Sequence, residues 1–401
     1  MALILAVCAF VFVPHFTNPQ NGHTAFASSS LVQIEIPDTV GFEFDILCDR
    51  AASPFFSADE ESDISDRVWL RNSHLKTETG ADVLVTVSDD FYNAAKNDVL
   101  SGTYKYDLYA ASAINLSRLL AEGELKDLSH SDYVRTSKDY FDEKTIDSLA
   151  IGGGKYLISS AVADARLWSA AIAVTKDFEE GELLRESALE GNFTFEAMHS
   201  SGGMLVSEDA VYPLWFGAGG KFVSYTESQP RFISHADFLA SVEKLEELTD
   251  DGADKSDVFE LVTVYGAAKN DWVIILPLPK SSAEDGYSGY VDLKSAVMSA
   301  VPKGSPTSDK SEYLLDRMAY LSDSYITPRF DSLFGENAEV YKIIKENSSC
   351  DLSVLFGYGD IGSVVRNALR GNTQISLEYY NRKALYEKAL SIIAKRLCIE
   401  E

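Results

Sequence analysis

The side chains that most often carry out catalysis are present in this sequence, but they do not form a catalytic set. The histidines beyond residue 28 include no pair three or four positions apart, the spacing that would place two imidazoles on one helix face. They are His74, His130, His199 and His235. Neighbouring acids such as Asp89 and Asp90 could form the dyad of a glycosidase, but 62 acidic residues produce such pairs by chance. We therefore predict no catalytic residues.

Motifs for cofactors and metals are also missing. The chain has no G-x-S-x-G, H-E-x-x-H or Walker motif, and no G-x-G-x-x-G after a predicted strand. The run Gly152–Gly154 is followed by strand-like residues, so we interpret it as a hairpin turn and not as a phosphate loop. Cys48, Cys350 and Cys398 include no C-x-x-C pair, and we expect at least two of them to be buried thiols. We predict no cofactor and no metal site.

Aromatic side chains point to a different chemistry, the stacking of flat rings on an apolar ligand face. The C–H faces of sugar rings stack on Trp and Tyr, while their hydroxyls take polar partners. Trp168, Trp215 and Trp272 lie near predicted junctions between loops and regular elements, where binding residues concentrate. We predict Trp215 as the first platform and Trp168 as the second. Trp69 falls on the apolar side of a predicted helix and is expected in the core.

Polar side chains that could bind the hydroxyls of such a ligand lie close to these tryptophans in sequence. Asp164 and Arg166 follow the predicted strand Lys155–Ser160, and the planar guanidinium of an arginine can donate paired hydrogen bonds to a ligand. An ion pair between these two sequence neighbours is the alternative. Asp49 and Ser112 complete the predicted ligand-binding set.

The charge of the chain limits its partners. Of 401 residues, 62 are acidic and 35 are Lys or Arg, which gives a formal net charge of −27. Such a surface repels the phosphates of nucleic acid and anionic lipid, so we predict no nucleic-acid partner. The length is sufficient for two or three domains.

Alternating strand and helix patterns predict an α/β fold from Phe42 onward. Phe44 and Ile46 alternate with acidic residues, as in a half-buried strand, and Asp82–Val87 and Tyr106–Ala110 predict further strands separated by helices. Strand–helix–strand units of this length predict a parallel sheet covered by helices. Another mixed block follows, residues 291–303 predict a strand, and the chain after Ser308 is mostly helical in pattern.

The first residues predict export. Residues 2–13 are an unbroken apolar run closed by Pro14, and Ala25–Ala27 fits a small-x-small cleavage site. We therefore predict a signal peptide over residues 1–27 and an extracytoplasmic location, secreted or anchored at the outer face of the cytoplasmic membrane. A buried N-terminal strand or helix is the alternative. Lipidation at Cys8 stays open and is not favoured, because the valine before it is the wrong size for a lipoprotein motif.

Several short stretches, in order along the chain, resemble the extracellular solute-binding proteins of bacterial ABC importers, in particular the family-1, sugar-binder-like group. The most specific is YDLYAASAINLSRLLAEGELKDL (106–128), similar to a segment in which a YDL strand leads to a helix and a G-x-L-x-D-L exit. The others are FDILC (44–48), DRVWLRNSHLKTETGADV (66–83), GNFTFEAM (191–198), WFGAGGKF (215–222), LPLPK (276–280), VPKG (301–304) and the closing helix pair (372–397). The resemblance spans nearly the whole chain after Phe42.

This resemblance implies a fold of two α/β lobes, each a mainly parallel sheet flanked by helices, with a hinge between them. The implied boundaries are 28–160 for the first lobe, with a return strand near 292–302, and 161–291 for the second. Residues 303–401 would be C-terminal helices that pack on the lobes. Closure about the hinge would require torsion changes at a few residues only.

The implied function is a binding protein that delivers a small solute, a mono- or oligosaccharide, to the permease subunits of an ABC transporter. Two alternatives stay open: an exported carbohydrate-active hydrolase, and a sensor ectodomain with the same fold. The missing catalytic sets disfavour the hydrolase. A sensor would normally carry a membrane-spanning helix, and no apolar run beyond Val13 approaches 18 residues.

Overall fold

A computed structural model describes residues 35–59, 62–175, 178–201, 210–226, 229–249, 258–269, 274–357, 361–369 and 374–397. The strands are β1 (Glu43–Cys48), β2 (Asp82–Val87), β3 (Leu108–Ser112), β4 (Ala170–Val174), β5 (Val223–Thr226), β6 (Gln229–Phe232), β7 (Phe259–Thr263), β8 (Ile275–Leu276) and β9 (Val297–Ala300). The first eight helices are α1 (Ser53–Phe56), α2 (Ser65–Thr79), α3 (Phe91–Ser101), α4 (Ala113–Glu122), α5 (Glu143–Ser148), α6 (Phe178–Leu189), α7 (Phe195–Ser200) and α8 (Val211–Gly217). The others are α9 (His235–Thr249), α10 (Val264–Lys269), α11 (Ser308–Tyr325), α12 (Thr327–Leu333), α13 (Ala338–Asn347), α14 (Leu352–Phe356), α15 (Ile361–Leu369) and α16 (Ile375–Arg396). The predicted signal peptide lies outside the described residues.

The first lobe is built on a four-stranded sheet in the order β2-β1-β3-β9. β1 pairs in parallel with β2 and β3, as the strand–helix–strand pattern predicts, and β9 returns antiparallel to β3. A bridge between Ile158 and Ser299 continues the sheet beyond β9. The predicted strand at 291–303 is therefore confirmed in its central part, and it is the return strand of this lobe.

Helix α2 ends where its sequence predicts, but its buried face differs from the prediction at one residue. Gly80 ends it in the left-handed conformation (φ 75°), and its amide donates to the carbonyl oxygen of Lys76, which confirms the predicted glycine end. Val68 and Leu75 are fully buried, but Trp69 is 60% exposed. The expectation of a core Trp69 was wrong, because a step of one residue turns a side chain by about 100° around the helix, away from the face that Val68 buries.

The second lobe is built on a three-stranded sheet in the order β7-β4-β8. β4 is buried along its whole length and pairs antiparallel with both neighbours. A mainly parallel sheet was expected for each lobe. In this lobe, β7 and β8 both run in the direction opposite to β4, so the described sheet has no parallel pairing. The hairpin β5–β6 lies apart from it as a separate two-stranded sheet. The helix-flanked α/β fold itself is confirmed.

Two segments connect the lobes side by side. The first runs from the bridged residue Ser160 through a short 3-10 helix, Ala165–Trp168, into β4. The second leads from Val291, which is bridged to Ser169, into β9. Adjacent crossing segments of this kind are the arrangement that permits hinge motion between two domains. We call this pair of crossings the hinge.

The C-terminal helices contact both lobes. α11 packs on α2 of the first lobe, and α13 packs on α6 of the second. α16 contacts α4 on one side and α9 with β6 on the other. These contacts agree with the expected role of residues 303–401, whose boundary stays a prediction. None of the described helices is both long and apolar enough to span a membrane.

Candidate functional site

A polar cavity of about 340 Å³ opens at the carboxyl ends of β1 and β2 in the first lobe. It is lined by Asp49, Arg50, Ala51, Ser88, Asp89, Asp90, Phe91, Tyr92, Asn115 and Arg118. In open α/β sheets, ligands bind in the crevice outside the carboxyl ends of the strands. We call this space the first-lobe cavity.

Asp49 forms the inner part of this cavity and is almost completely engaged by the protein. Its Oδ1 accepts from the amide of Ala52 (2.9 Å), and its Oδ2 accepts from the amide of Ser112 (2.9 Å) and from Nδ2 of Asn115 (3.0 Å). Ser112 ends β3 and precedes α4, so the carboxylate ties the end of β1 to the beginning of that helix. Asp49 and Ser112, both predicted to bind the ligand, are therefore in contact with each other, and this contact positions the wall of the cavity.

Arg50 and Asp89 form the polar rim of the cavity. The Nε of Arg50 donates to Oδ1 of Asp89, and Nη2 donates to Oδ2 at 3.1 Å, with both side chains largely exposed. The hydrogen bond from Arg50 lowers the pKa of Asp89, so the carboxylate is ionised at neutral pH. A fork of this kind offers donors and acceptors side by side, which suits the paired hydroxyls of a polyol.

Tyr92 and Arg118 form the opposite wall. The hydroxyl of Tyr92 donates to Oε1 of Glu122 (2.6 Å), and Nζ of Lys96 donates to both of these oxygens. Burial would raise the pKa of Glu122, but these hydrogen bonds hold it below its usual value. The guanidinium of Arg118 lies over the Tyr92 ring, 3.5 Å from its centroid.

An aromatic cluster lies beside the hinge and joins the lobes. Phe55 of α1 contacts Trp168, which ends the 3-10 helix of the first crossing, with ring centroids 5.5 Å apart. Tyr265 of α10 in the second lobe contacts both rings, at 5.6 Å from Trp168 and 6.0 Å from Phe55. Phe330 of α12 closes the cluster. Because α1 follows Asp49 after three residues, the cluster and the first-lobe cavity share one end of β1.

The predicted tryptophans are separated by the fold. Trp168 is 6% exposed and lies among side chains from both lobes. Trp215 is 1% exposed and stacks on Phe222 at 4.8 Å inside the second lobe. Gly220 packs so closely on its indole that a Cβ there would lie 2.6 Å from the ring. Trp272 lies outside the described residues.

Asp164 and Arg166 are paired with each other rather than directed at an open surface. Nε and Nη2 of Arg166 donate to the two carboxylate oxygens of Asp164, each at 2.7 Å. Lys345 of α13 adds a contact of 3.2 Å to Asp164. Burial alone would raise the pKa of Asp164, but these two cations lower it. The ion-pair alternative is therefore observed, and a ligand contact for these residues stays a prediction.

Asp142 extends this pair into the first lobe. Its Oδ1 accepts from the amide of Thr145 at the beginning of α5, and its Oδ2 lies 3.6 Å from Nε of Arg166 without a hydrogen bond to any described residue. Burial and the neighbouring Asp164 raise the pKa of Asp142 against the effect of Arg166. Asp142, Arg166, Asp164 and Lys345 thus form a line of alternating charges across the hinge, which we call the hinge charge chain.

Sequence reasoning missed most of the residues that line the first-lobe cavity. Arg50 and Asp89 lie two residues beyond the ends of predicted strands, and this position at carboxyl ends was a usable signal. Arg118 and Tyr92 lie within helices and gave no such signal. No cluster of potential metal ligands occurs among the described residues, whose acids at this cavity are engaged by amides and cations.

Comparisons with known proteins bear on the fold. No protein-family model and no curated protein sequence matches the chain. Among solved structures, 534 chains are similar. One is the GacH receptor of Streptomyces glaucescens, determined without ligand and in complex with acarbose and an acarbose homologue. It is 14% identical, with a TM-score of 0.53 over 87% of this chain and 99% of the receptor. The chain therefore has the two-lobed α/β fold that this sugar-binding receptor also has.

Proposed function

We propose that this protein is an extracytoplasmic solute-binding protein that binds a carbohydrate between its lobes and delivers it to the permease subunits of an ABC transporter. In this proposal, the first-lobe cavity binds the hydroxyls of the sugar. The interlobe aromatic cluster supplies apolar faces on the hinge side, and Trp168 and Tyr265 stack on the sugar once the lobes separate.

The observation that carries the proposal is the position of polar and aromatic groups at one end of β1. Asp89 and Arg50 offer acceptors and donors at a rim, and Phe55 contacts the aromatic rings of the other lobe only a few residues further along the chain. Sugar recognition requires this combination of flat apolar faces and paired hydrogen-bonding groups. The shared fold with a receptor that binds acarbose supports the same ligand class.

A thermal-shift screen of mono- and oligosaccharides that includes maltose, maltotriose and acarbose tests the proposal. A sugar present at a hundred times its dissociation constant should stabilise the fold by about 2.7 kcal/mol. Arg50→Ala should weaken binding of the sugar that scores highest by about tenfold, since it removes charge-assisted donors at the rim.

The matched control is Arg67→Ala. Arg67 is a half-exposed arginine of α2 that pairs with Asp66 and does not line the cavity. It should leave both the melting temperature and the sugar affinity unchanged. If no sugar in the panel stabilises the protein, the carbohydrate proposal fails.

A further inference from the structure

The Tyr92–Arg118 wall of the first-lobe cavity has properties that the proposed function does not use. Both residues line the cavity, Tyr92 from the first turn of α3 and Arg118 from the middle of α4. The neighbouring Phe91 is only 3% exposed and is packed against Tyr109, so its ring is not available to a ligand. Tyr92 is therefore the aromatic residue of this cavity whose ring face can be reached.

The ring of Tyr92 is held at its hydroxyl end. The hydroxyl donates to Glu122, and Lys96 donates to that hydroxyl (3.0 Å) and to the same carboxylate oxygen (2.9 Å). These partners come from α3 and α4, two helices that pack on each other. An anchored aromatic ring loses little conformational entropy when a ligand stacks on it, which favours binding.

Arg118 covers this ring through a weak contact. Its Cζ lies 3.5 Å from the ring centroid, the side chain is exposed, and no carboxylate among the described residues pairs with it. By contrast, Arg50 at the rim of the same cavity is held by both oxygens of Asp89. A cation–π contact at an exposed site is worth little, so a ligand can displace it.

We propose that Tyr92 is a sugar-stacking residue of the first-lobe cavity and that Arg118 is a displaceable cover over its ring. The ligand is a saccharide unit whose C–H face replaces the guanidinium on Tyr92, while its hydroxyls bind Asp89 and Arg50 at the rim. The covered ring then sets a specificity. A sugar with a continuous apolar face compensates for the displaced guanidinium, and an open-chain polyol does not. This inference rests on the proposed carbohydrate function for its ligand class.

Nitration tests the cover without any ligand. Tetranitromethane modifies accessible tyrosines, and peptide mass spectrometry reports the extent at Tyr92. Arg118→Ala should raise the nitration rate at Tyr92 by about threefold, in line with the modest strength of an exposed cation–π contact. The control Arg67→Ala should leave it unchanged. If Tyr92 is nitrated at the same rate in the parent and in Arg118→Ala, the proposal that Arg118 covers the Tyr92 ring is overturned.

Calorimetric titration with acarbose, or with the sugar that scores highest in the panel, tests the stacking role. Tyr92→Leu keeps the bulk but removes the flat ring and should weaken binding by about tenfold, while Tyr92→Phe should stay within about threefold of the parent. Arg118→Ala should bind about threefold more tightly, because no guanidinium has to be displaced. Circular dichroism and the melting temperature establish that each variant is folded.

The outcomes separate this inference from the proposed function. If the parent binds a sugar and Tyr92→Leu binds it equally well, the stacking role is overturned and the carbohydrate function stands. If Arg118→Ala binds as weakly as Tyr92→Leu, Arg118 is a ligand contact and the cover is overturned. If the parent binds no sugar, the carbohydrate function and the stacking role fail together, and the nitration result still decides the cover.

Discussion

Asp49 shows how a polar residue at a site can act through the protein rather than through a ligand. Both of its carboxylate oxygens accept hydrogen bonds from protein groups, two of them backbone amides. A carboxylate that accepts several such bonds holds their donors in place. Asp49 therefore fixes Asn115 and the beginning of α4 beside the cavity. Its direct contact with a ligand stays a prediction.

Trp168 and Trp215 differ in their surroundings, although both are buried. Trp168 contacts rings from both lobes, so its environment changes when the lobes move. Trp215 contacts Phe222 and Phe238, both within the second lobe. A ring held on all sides within one lobe cannot exchange its neighbours for a sugar without disrupting the core of that lobe.

Trp215→Ala should therefore act on stability. Removing a fully buried indole leaves a cavity beside Phe222 and Gly220, and we expect a loss of about 3–5 kcal/mol in the free energy of unfolding, measured by urea denaturation. The loss should be the same with and without bound sugar. Trp69→Ala, at an exposed tryptophan, should change stability by less than about 0.5 kcal/mol. A Trp215→Ala protein of parental stability but without sugar affinity would instead support the predicted role of Trp215 as the platform.

At the scale of elements, the hinge charge chain links α5 of the first lobe to the C-terminal helix α13, which packs on the second lobe. Lys144 of α5 also reaches the carbonyl oxygen of Glu346 (3.4 Å), and Sγ of Cys350 lies 3.8 Å from the carbonyl oxygen of Thr145. These contacts cross between the lobes beside the hinge. Asp142 is the least stabilised member of the hinge charge chain. One oxygen of its nearly fully buried carboxylate receives no hydrogen bond from the described residues.

Asp142→Asn should stabilise the protein at neutral pH. The raised pKa of Asp142 means that the folded state disfavours the ionised form of this carboxyl group. The protein therefore loses stability as the pH rises from the pKa of Asp142 in the unfolded chain, about 4, through its raised pKa in the folded protein. An asparagine has no such titration, and it still accepts the hydrogen bond from Thr145 that begins α5. We expect a gain of about 1 kcal/mol at pH 7, measured by urea denaturation, that disappears below about pH 4.

Asp147→Asn is the matched control on the same helix. Asp147 is half exposed and pairs with Lys155 within the first lobe, so its substitution should change stability by less than about 0.5 kcal/mol. A loss of stability in Asp142→Asn at pH 7 would show that the attraction to Arg166 outweighs burial, contrary to the direction of the pKa.

At the scale of the molecule, the aromatic cluster and the hinge charge chain are two of the contacts that join the lobes beside the hinge among the described residues. The aromatic contacts contribute apolar burial between the lobes, and the charge chain contributes ion pairs and hydrogen bonds whose strength depends on distance and angle. A ligand that binds both lobes shifts the equilibrium between arrangements by its difference in affinity for them. An excess of 27 negative charges favours solubility of the folded protein.

Export is the prediction at this scale. The apolar run at residues 2–13 and the small residues at 25–27 predict cleavage before Ser28. N-terminal sequencing of the protein from its native cell should begin near Ser28, in an extracytoplasmic fraction. A cytoplasmic product that retains Met1 would contradict both the signal peptide and the delivery of a solute to a transporter.

Much of the fold could be predicted from the sequence because its signals are local. The alternation over 42–46, the helix that ends at Gly80 and the turn at Gly152–Gly154 each report on a few neighbouring residues. The structure confirms a strand, a glycine-ended helix and a tight turn at these places. The order of short segments over residues 42–397 then predicted, by resemblance, the two-lobed α/β fold. The predicted strand direction in the second lobe was wrong. β4 and β7 are about 90 residues apart in sequence, and no local pattern specifies whether two such distant strands pair parallel or antiparallel.

The sequence by itself determined the sheet-and-helix plan, the acidic surface and the types of residue available to bind a polyol. Only the tertiary structure decided which of them meet. It turned Trp69 outward, buried Trp215, paired Asp164 with Arg166 and placed Tyr92 beside Arg118. The physical reason is that burial and pairing depend on neighbours that lie from two to more than two hundred positions away, as the Arg71–Ser322 contact illustrates. Hydrophobic periodicity shows which face of an element is apolar, but not what packs against it.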